Sequence, residues 1–339
     1  HLLVAVSGGS DSMALTLLAA EWAAARDGQI TAVTIDHQLR PESRAEADQV
    51  AQWLSQRKIE HHIISLGDVG LRDHSGNLAQ NARHLRYAKL QDFVEKQGIL
   101  HILLGHHQQD QAETFLQNLA RGSGLDGLAA MSPISYRRQT RLLRPLLSVT
   151  KSRLQATLQA RHQDWLEDSS NNSPKFERNR LRLAVAARQA LKLSDARLAL
   201  AADWCHKSQI VIEDEAAAIM AMSVTFLPPS SELPVRAMIN AKIWAAAAAE
   251  TRGRILADIL MKIGGQDFRP RWQRVHNLEQ KLCEYVEQAQ NNPTQFLRFK
   301  YQLAGCEMMS VKPVKPVKPV KSVNPPQPIL IAISKKVQL

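Results

Sequence analysis

The chain has 339 residues, 45% of them apolar, which favours about two globular domains that bury their cores without disulfides or metals. Lysine and arginine number 43 against 32 aspartate and glutamate, and the net charge of +11 favours a polyanionic partner such as nucleic acid or anionic lipid. Three scattered cysteines exclude a disulfide framework or a cysteine-ligated zinc site, and no apolar run approaches the roughly 18 residues of a membrane span. We therefore expect a cytoplasmic protein in a reducing compartment, with no membrane partner.

Short apolar runs alternate with amphipathic segments over the first 170 residues. The apolar runs are 2–6, 30–36, 61–66 and 99–104, and the segments with helical spacing are 12–26, 42–58 and 78–97. This alternation predicts an α/β domain with a parallel, Rossmann-like sheet that is covered by helices on both faces. Such sheets bind ligands beyond the C-terminal ends of their strands, so we expect the chemistry to follow Val6, Asp36 and Leu104.

A loop rich in glycine and serine follows the first apolar run and opens the next helical segment. Its residues are Ser7, Gly8, Gly9, Ser10, Asp11 and Ser12. Glycines permit a tight turn and a close approach of the backbone, while N–H groups at a helix start and serine hydroxyls are suited to bind an anion. A plain serine-capped turn is the alternative, but the position at the binding edge of a parallel sheet favours phosphate. The loop has neither the Walker A nor the G-x-G-x-x-G pattern.

This loop, Ser-Gly-Gly-Ser-Asp-Ser, resembles the pyrophosphate loop (PP-loop) of N-type ATP pyrophosphatases, which split ATP into AMP and pyrophosphate to adenylate a substrate oxygen. Further segments narrow the resemblance to the tRNA(Ile)-lysidine synthase family over 1–185; they begin at Asp36, Asn81, Gly105, Arg121, Arg144, Trp165 and Arg178. Residues 252–278 resemble that family's helical substrate domain more weakly. The resemblance implies an ATP-dependent ligase that adenylates the C2 oxygen of the wobble cytidine in tRNA(Ile) with anticodon CAU. Free lysine then displaces AMP through its ε-amine.

The resemblance implies that Asp11, Asp110 and Glu113 form an acidic pocket. Asp110 and Glu113 are three residues apart on a predicted helix at the sheet edge, so they face the same way. They would hold the α-amine or the ε-amine of lysine, and Asp11 with Asp110 would instead hold a Mg²⁺ ion. A carboxylate here would also accept the proton that the attacking amine loses. A solvated helix face is the alternative for the pair.

Basic residues beside this pocket have two interpretations each. The resemblance marks Arg83 as an active-site residue for phosphate or the adenylated base, although Ala79 stands where the family usually has glutamate; a surface-charged helix is the alternative. His37 is expected to contact the nucleotide, with loop capping as an almost equal alternative. His106 and His107 favour a nucleotide pocket over a metal site, because no third histidine is near them in the sequence.

The predicted tRNA contacts lie near the end of the catalytic domain. They are Arg121, Arg178, Asn179, Arg180 and Arg182. Lys175, Arg188 and Lys192 extend the last four into a basic stretch. A solvated face is the ordinary interpretation of such a stretch, but its position beside the catalytic domain favours contact with the phosphate backbone.

The pattern becomes helical from about residue 178. The helical segments are 180–203, continuing to about 222, 234–264 and 271–289. Residues 180–203 contain neither glycine nor proline, which predicts one uninterrupted helix. We therefore expect a PP-loop catalytic domain over 1–185 and an all-helical, tRNA-binding domain over 186–300.

Residues 301–339 are predicted to form a low-complexity basic tail. A Val-Lys-Pro tripeptide repeats between 311 and 321, and proline at every third position forbids a helix or an interior strand. The apolar run 329–334 is left without a predicted partner.

Two other functions remain open for this fold: another PP-loop enzyme of tRNA modification, and a non-catalytic nucleotide- or RNA-binding protein. Thiolation is disfavoured because thiolating relatives need catalytic cysteines or an iron–sulfur site, and no cysteine precedes Cys205. The intact loop and the three carboxylates disfavour a non-catalytic protein. The oligomeric state, a homodimer included, stays open.

Overall fold

The computed structural model describes residues 1–36, 42–66, 78–167, 188, 190–228, 235–266, 269–292, 295–312 and 329–335. His37, Arg178, Asn179, Arg180, Arg182 and most of the Val-Lys-Pro repeat lie outside these ranges. The chain divides into two compact units, 1–207 and 208–339. This division falls later than the predicted boundary at 185, inside a helix that begins at Asp195.

The first unit is built on a six-stranded sheet. Its elements are β1 (Leu2–Ala5), α1 (Ser10–Ala24), β2 (Ile30–Asp36), α2 (Ser43–Gln56), β3 (Glu60–Ser65), α3 (Leu78–Gln97), β4 (His101–Leu104), α4 (Gln108–Ala120), α5 (Leu125–Leu128), β5 (Ile134–Arg137), β6 (Thr140–Leu143) and α6 (Lys151–Gln159). The strand order is β3-β2-β1-β4-β6-β5, and every pair is parallel except β5 with β6. The predicted α/β class and parallel sheet are confirmed.

Apolar residues cover both faces of this sheet. Successive side chains of a strand point to opposite faces, so Val4 packs in a cluster with residues of α1, α2 and α6, while Leu3 packs in another with residues of α3. Both side chains are fully buried. This explains why the strands are almost continuously apolar, and it confirms the predicted helices on both faces.

The strand order reverses at β1, which lies between β2 and β4. Open sheets bind their ligands in the crevice that forms at such a point, beyond the C-terminal ends of the strands. Gly105, directly after β4, keeps this crevice narrow, because a Cβ there would lie 3.0 Å from the Cα of Ser12. The start of α1 therefore lies against the end of β4.

The second unit contains an antiparallel sheet besides its helices. Its elements, with the helix that crosses into it, are α7 (Asp195–Ser223), β7 (Val224–Phe226), β8 (Val235–Asn240), α8 (Ala241–Ala245), α9 (Ala249–Gly264), α10 (Trp272–Asn291), β9 (Lys300–Leu303), β10 (Cys306–Ser310) and β11 (Leu330–Lys335). The strand order is β7-β8-β11-β10-β9. The predicted helices are present, but the expectation of an all-helical domain misses this sheet.

The sheet also corrects the prediction of a tail over 301–339. The run 330–335 is β11, which pairs with β8 on one side and with β10 on the other. Ile331 and Ile333 are fully buried in the core of this unit. An interior strand needs partners on both sides, and these partners lie far away in the sequence, so local pattern alone did not place it.

The predicted long helix over 180–203 is interrupted. Residues 191–194 form a turn in which Lys192 has φ +57°, and α7 begins at Asp195 after Ser194. Serine before a helix is a common start signal, so this boundary was present in the sequence. Arg188 is buried and pairs with Asp195 at 2.6 Å. Its predicted role in phosphate contact is therefore replaced by an internal ion pair.

None of the helices in the described ranges is both long enough and apolar enough to cross a membrane.

Candidate active site

The turn after β1 requires glycine at residue 8. Gly8 has φ +85°, a conformation that side chains disfavour. A Cβ at this position would lie 2.5 Å from Leu166 Cδ1 and 2.8 Å from Val50 Cγ2. The N–H of Leu166 also donates to the carbonyl of Gly8 at 2.9 Å. Both the backbone conformation and the packing therefore fix this glycine.

Gly9 is open on the side where a Cβ would project. It precedes α1 with φ −68° and ψ 160°, and no side chain caps the helix start. Ser7 Oγ, at 3.9 Å, is the nearest described atom that a Cβ would meet. Uncapped N–H groups at a helix N-terminus attract anions. The arrangement leaves room for a phosphate group beside Gly9.

Two serines of the loop form hydrogen bonds within it, and a third is exposed to solvent. Ser12 Oγ accepts from the N–H of Ser7 at 3.0 Å and donates to the carbonyl of Gly9 at 3.1 Å. Ser10 Oγ donates to Asp11 Oδ1 at 3.1 Å. Ser10 and Ser12 are buried, whereas Ser7 is exposed. Ser12 thus holds the loop in shape, and Ser10 orients the Asp11 carboxylate.

The two glycines give a matched pair of variants. Gly8→Ala is expected to lower the free energy of unfolding by about 2–5 kcal/mol, since it adds backbone strain and overpacking. Gly9→Ala is expected to melt like the wild type but to lose ATP affinity, because its methyl group would occupy the open side of the loop. Thermal melting and calorimetric ATP titration of the full chain measure both effects. Unchanged ATP affinity in Gly9→Ala would place the phosphate elsewhere.

His107 connects the loop to the start of α4. Its Nδ1 accepts from the N–H of Gln109 at 3.1 Å, and Asp110 Oδ2 accepts from the N–H of His107 at 3.0 Å, so the pair forms a capping box. Because Nδ1 is an acceptor, the neutral ring carries its proton on Nε2. Nε2 lies 3.4 Å from Asp11 Oδ2. The buried imidazole therefore points its N–H at the carboxylate of the loop.

This contact shifts the pKa values of both partners. Burial raises the pKa of Asp11, but the hydrogen bond and charge of His107, followed by the charge of Lys151, outweigh it, so the net shift is downward. Burial lowers the pKa of His107, but its hydrogen bond to Asp11 and the charges of Asp110 and Asp11 outweigh it, so the net shift is upward. Asp11 is therefore ionised at neutral pH, and its side chain is 27% exposed.

The carboxylates predicted for the acidic pocket lie along the same edge. Asp110 in the first turn of α4 has a side chain 13% exposed and lies 3.7 Å from His107 Nδ1. Glu113, one turn later, is 1% exposed. The structure thus brings Asp11 and Asp110 to the two nitrogens of His107 and places Glu113 deeper on the same helix. Within the described ranges, no group of three or more acidic, histidine or cysteine side chains could hold a metal ion.

Arg121 is separate from this cluster. Arg121 is exposed at the C-terminal end of α4, about 20 Å along the helix from His107 at 1.5 Å per residue. Arg83 lies in α3. The contact of His107 with Asp11, and Lys151, whose charge acts on Asp11, are features of the site that the sequence did not predict. Histidine is an uncommon helix cap, and only the fold brings residue 151 beside residue 11.

Chemically, the edge combines an anion site with an ionised carboxylate. The loop and the start of α1 are suited to phosphate, and Asp11 is suited to a cation or an amine that lies beside it. Nucleotide phosphates and a positively charged group can therefore be bound together.

Comparison with known proteins agrees with this geometry. Residues 1–189 match the family model of the PP-loop domain. The chain is 38% identical over 268 residues to the tRNA(Ile)-lysidine synthase of a Bradyrhizobium species, covering 78% of this chain and 74% of that protein. The enzyme of the same name from Rhodopseudomonas palustris is 35% identical over 310 residues, 90% of this chain and 86% of that one.

Other relatives are longer than the matched region. The tRNA(Ile)-lysidine synthase of Hyphomonas neptunium is 43% identical over 185 residues, 53% of this chain and 49% of that protein. Among solved structures, the tRNA thiolase NcsA from Methanococcus maripaludis has a TM-score of 0.51 at 14% identity. That match covers 61% of this chain and 71% of the thiolase chain, and at this identity it shows the shared fold alone.

Proposed function

The chain belongs to the tRNA(Ile)-lysidine synthase family, and we propose that it joins lysine to C2 of the wobble cytidine of tRNA(Ile) with anticodon CAU, consuming ATP. The observation that carries this proposal is the ionised Asp11 of the PP-loop, which contacts His107. This contact lies at the point where the strand order reverses. Phosphate and a cationic group would meet there, as adenylation followed by attack of lysine requires.

Two bond exchanges make up the proposed reaction. The C2 oxygen of cytidine attacks the α-phosphorus of ATP, and the bond from that phosphorus to the bridging oxygen breaks, so pyrophosphate leaves. The lysine ε-amine then attacks C2, the bond from C2 to oxygen breaks, and AMP leaves with that oxygen. The N-terminus of α1 and the open side of Gly9 would bind the phosphates. A carboxylate of the acidic pocket would take the proton of the amine.

Asp110 and Glu113 are the proposed lysine ligands. Both lie on α4, whose start contacts the loop through His107, and low exposure strengthens the attraction between a carboxylate and an ammonium group. Asp11 faces the same edge and would share either the amine or a Mg²⁺ ion. Mg²⁺ is usually bound by one or two carboxylates together with substrate phosphates, so Asp11 and Asp110 fit it without a third protein ligand. The ion would neutralise phosphate charge.

A cavity in the second unit is a further candidate for tRNA contact. It has a volume of about 330 Å³ and is lined by Gln266, Arg269, Pro270, Arg271, Arg274, Leu303, Ala304 and Gly305. Arg269 pairs with Asp258 at 2.6 Å. Arg271 and Arg274 are exposed, and neither side chain has an ion pair or hydrogen bond within the described part of the chain. Two uncompensated guanidinium groups on a concave surface are suited to phosphates of the RNA backbone.

Reversing these two charges is expected to weaken tRNA binding. Each lost phosphate contact lowers the slope of log affinity against log salt by about 0.7–0.9, so Arg271→Glu with Arg274→Glu should lower it by up to about 2. Filter binding of tRNA between low and physiological salt measures the slope. The matched control, Lys242→Glu with Arg298→Glu, makes the same charge change at exposed residues of the same unit. Equal slopes in the two double variants would contradict a specific contact.

The function itself is tested by isotope transfer. Full-length protein is incubated with ATP, radiolabelled lysine and unmodified tRNA(Ile). We expect label in the tRNA only when ATP is present, with one AMP and one pyrophosphate formed for each lysine incorporated. Pyrophosphate release without lysine incorporation at any tRNA concentration would favour another enzyme of tRNA modification.

A further inference from the structure

Lys151 is the first residue of α6, and its position is fixed by the neighbouring helix. The N–H of Gln108, which opens α4, donates to the carbonyl of Val149 at 3.0 Å. Thr150 then caps α6 by accepting from the N–H of Arg153 at 3.3 Å. The start of α6 is thus held beside the start of α4, one residue away from His107.

Three helix N-termini therefore meet at one edge of the sheet. His107 at the start of α4 contacts Asp11 in the first turn of α1 at 3.4 Å, and Gln108 joins α4 to the segment before α6. Each helix N-terminus has a partial positive charge. Helix α6 has no acidic residue in its first turn. Lysine at this place adds a full positive charge where the backbone is already electropositive.

The ammonium group of Lys151 is not compensated by a close partner. No side chain in the described ranges forms a hydrogen bond or an ion pair with it. Lys151 nevertheless lies near the cluster, because the start of α6 is held beside the start of α4, and its positive charge contributes to the lowered pKa of Asp11. An anionic ligand beside Lys151 would be stabilised both by the ammonium group and by the partial positive charge of the helix starts.

We propose that Lys151 binds a phosphate oxygen of ATP that departs with the pyrophosphate. The inference rests on the proposed function for the reaction step, but not for binding of the phosphate group. During adenylation the bond between the α-phosphorus and the bridging oxygen breaks, and its electron pair goes to the pyrophosphate. An ammonium group beside that pyrophosphate stabilises the developing charge. Lys151 would then act together with the PP-loop.

Inorganic pyrophosphate is the direct probe. Calorimetric titration of the full chain with pyrophosphate is expected to show affinity reduced about ten- to a hundredfold in Lys151→Met, the value of one charge-assisted hydrogen bond. Lys151→Arg is expected to retain most of the affinity, because the charge is kept. Lys96→Met, which removes an exposed lysine of α3 in the same unit, is the control and should bind like the wild type. Melting temperatures of all variants are measured in parallel.

Each outcome decides the proposal. Loss of pyrophosphate affinity in Lys151→Met with recovery in Lys151→Arg supports it, even if the wild type shows no ligation of lysine. Wild-type pyrophosphate affinity in Lys151→Met overturns it. Equal losses in both variants with a lowered melting temperature also overturn it, since they show a structural role. A raised Michaelis constant for lysine with unchanged pyrophosphate affinity would assign Lys151 to the carboxylate of the substrate lysine instead and likewise overturn it.

Discussion

Asp11→Asn is expected to lower the rate of lysine-dependent AMP formation by about ten- to a hundredfold. The carboxylate is ionised, faces the crevice and is held by His107 Nε2 at 3.4 Å, so the substitution removes a charge at the reacting edge. One charge-assisted hydrogen bond is worth about 1.5–3 kcal/mol, which is a factor of ten to a hundred in rate. The amide keeps the side-chain shape, and Ser10 can still donate to its oxygen, so the fold should be retained.

The control for this variant is Asp27→Asn. Asp27 is exposed beyond the C-terminal end of α1 and has φ +51°, which asparagine also tolerates. Rates are measured by AMP release at saturating ATP, lysine and tRNA, with circular dichroism as the check on folding. Wild-type turnover in a folded Asp11→Asn would remove Asp11 from the active site.

Glu113→Gln is expected to raise the Michaelis constant for lysine about ten- to a hundredfold and to change that for ATP little. Glu113 is 1% exposed on α4, one turn beyond Asp110, where a charged amine would be shielded from water. The loss of one negative charge from this pocket weakens the binding of a cationic amine more than the binding of the ATP phosphates. Steady-state kinetics with each substrate varied in turn measure the two constants.

The outcome also shows whether Glu113 binds lysine or a metal ion. Equal increases for lysine and ATP would indicate that the carboxylate acts through a metal ion bound to the phosphates rather than through lysine. Glu284→Gln on the exposed face of α10 is the matched control and should leave both constants unchanged.

The parallel sheet was predictable because its signal is local. Leu3 and Val4 are adjacent, apolar and fully buried on opposite faces, and only a strand between two helical layers has this property. The second sheet was not predictable in this way. Ala237 and Ile239 alternate with half-buried residues, but the strand is short and lies within an alanine-rich region that also fits a helix. This strand pairs with β11, with Asn240 opposite Leu330, and no local pattern predicts pairing between residues so far apart in the sequence.

In the candidate site, too, the features encoded by contiguous sequence were predictable and those that depend on the fold were not. The role of Asp11 was predicted from the resemblance of its loop to the PP-loop, and the residues of that loop are contiguous in sequence. The contact of Asp11 with His107 depends on the strand order that places β4 beside β1, and the neighbourhood of Lys151 depends on α6 packing against α1. For Arg188 the sequence predicted contact with phosphate, whereas the structure shows an internal ion pair with Asp195 that a basic stretch does not reveal. Charge patterns predict partners poorly until the fold shows which charges are already paired.

Adenylation of the base oxygen is tested most directly by an experiment that follows that oxygen. Full-length protein is given ATP, lysine and tRNA(Ile) whose wobble cytidine has oxygen-18 at C2, and the AMP released is analysed by mass spectrometry. We expect AMP to gain the heavy oxygen in a one-to-one ratio to the lysine incorporated. AMP that contains only light oxygen while lysine enters the tRNA would contradict adenylation of the cytidine and would indicate that ATP activates a different group.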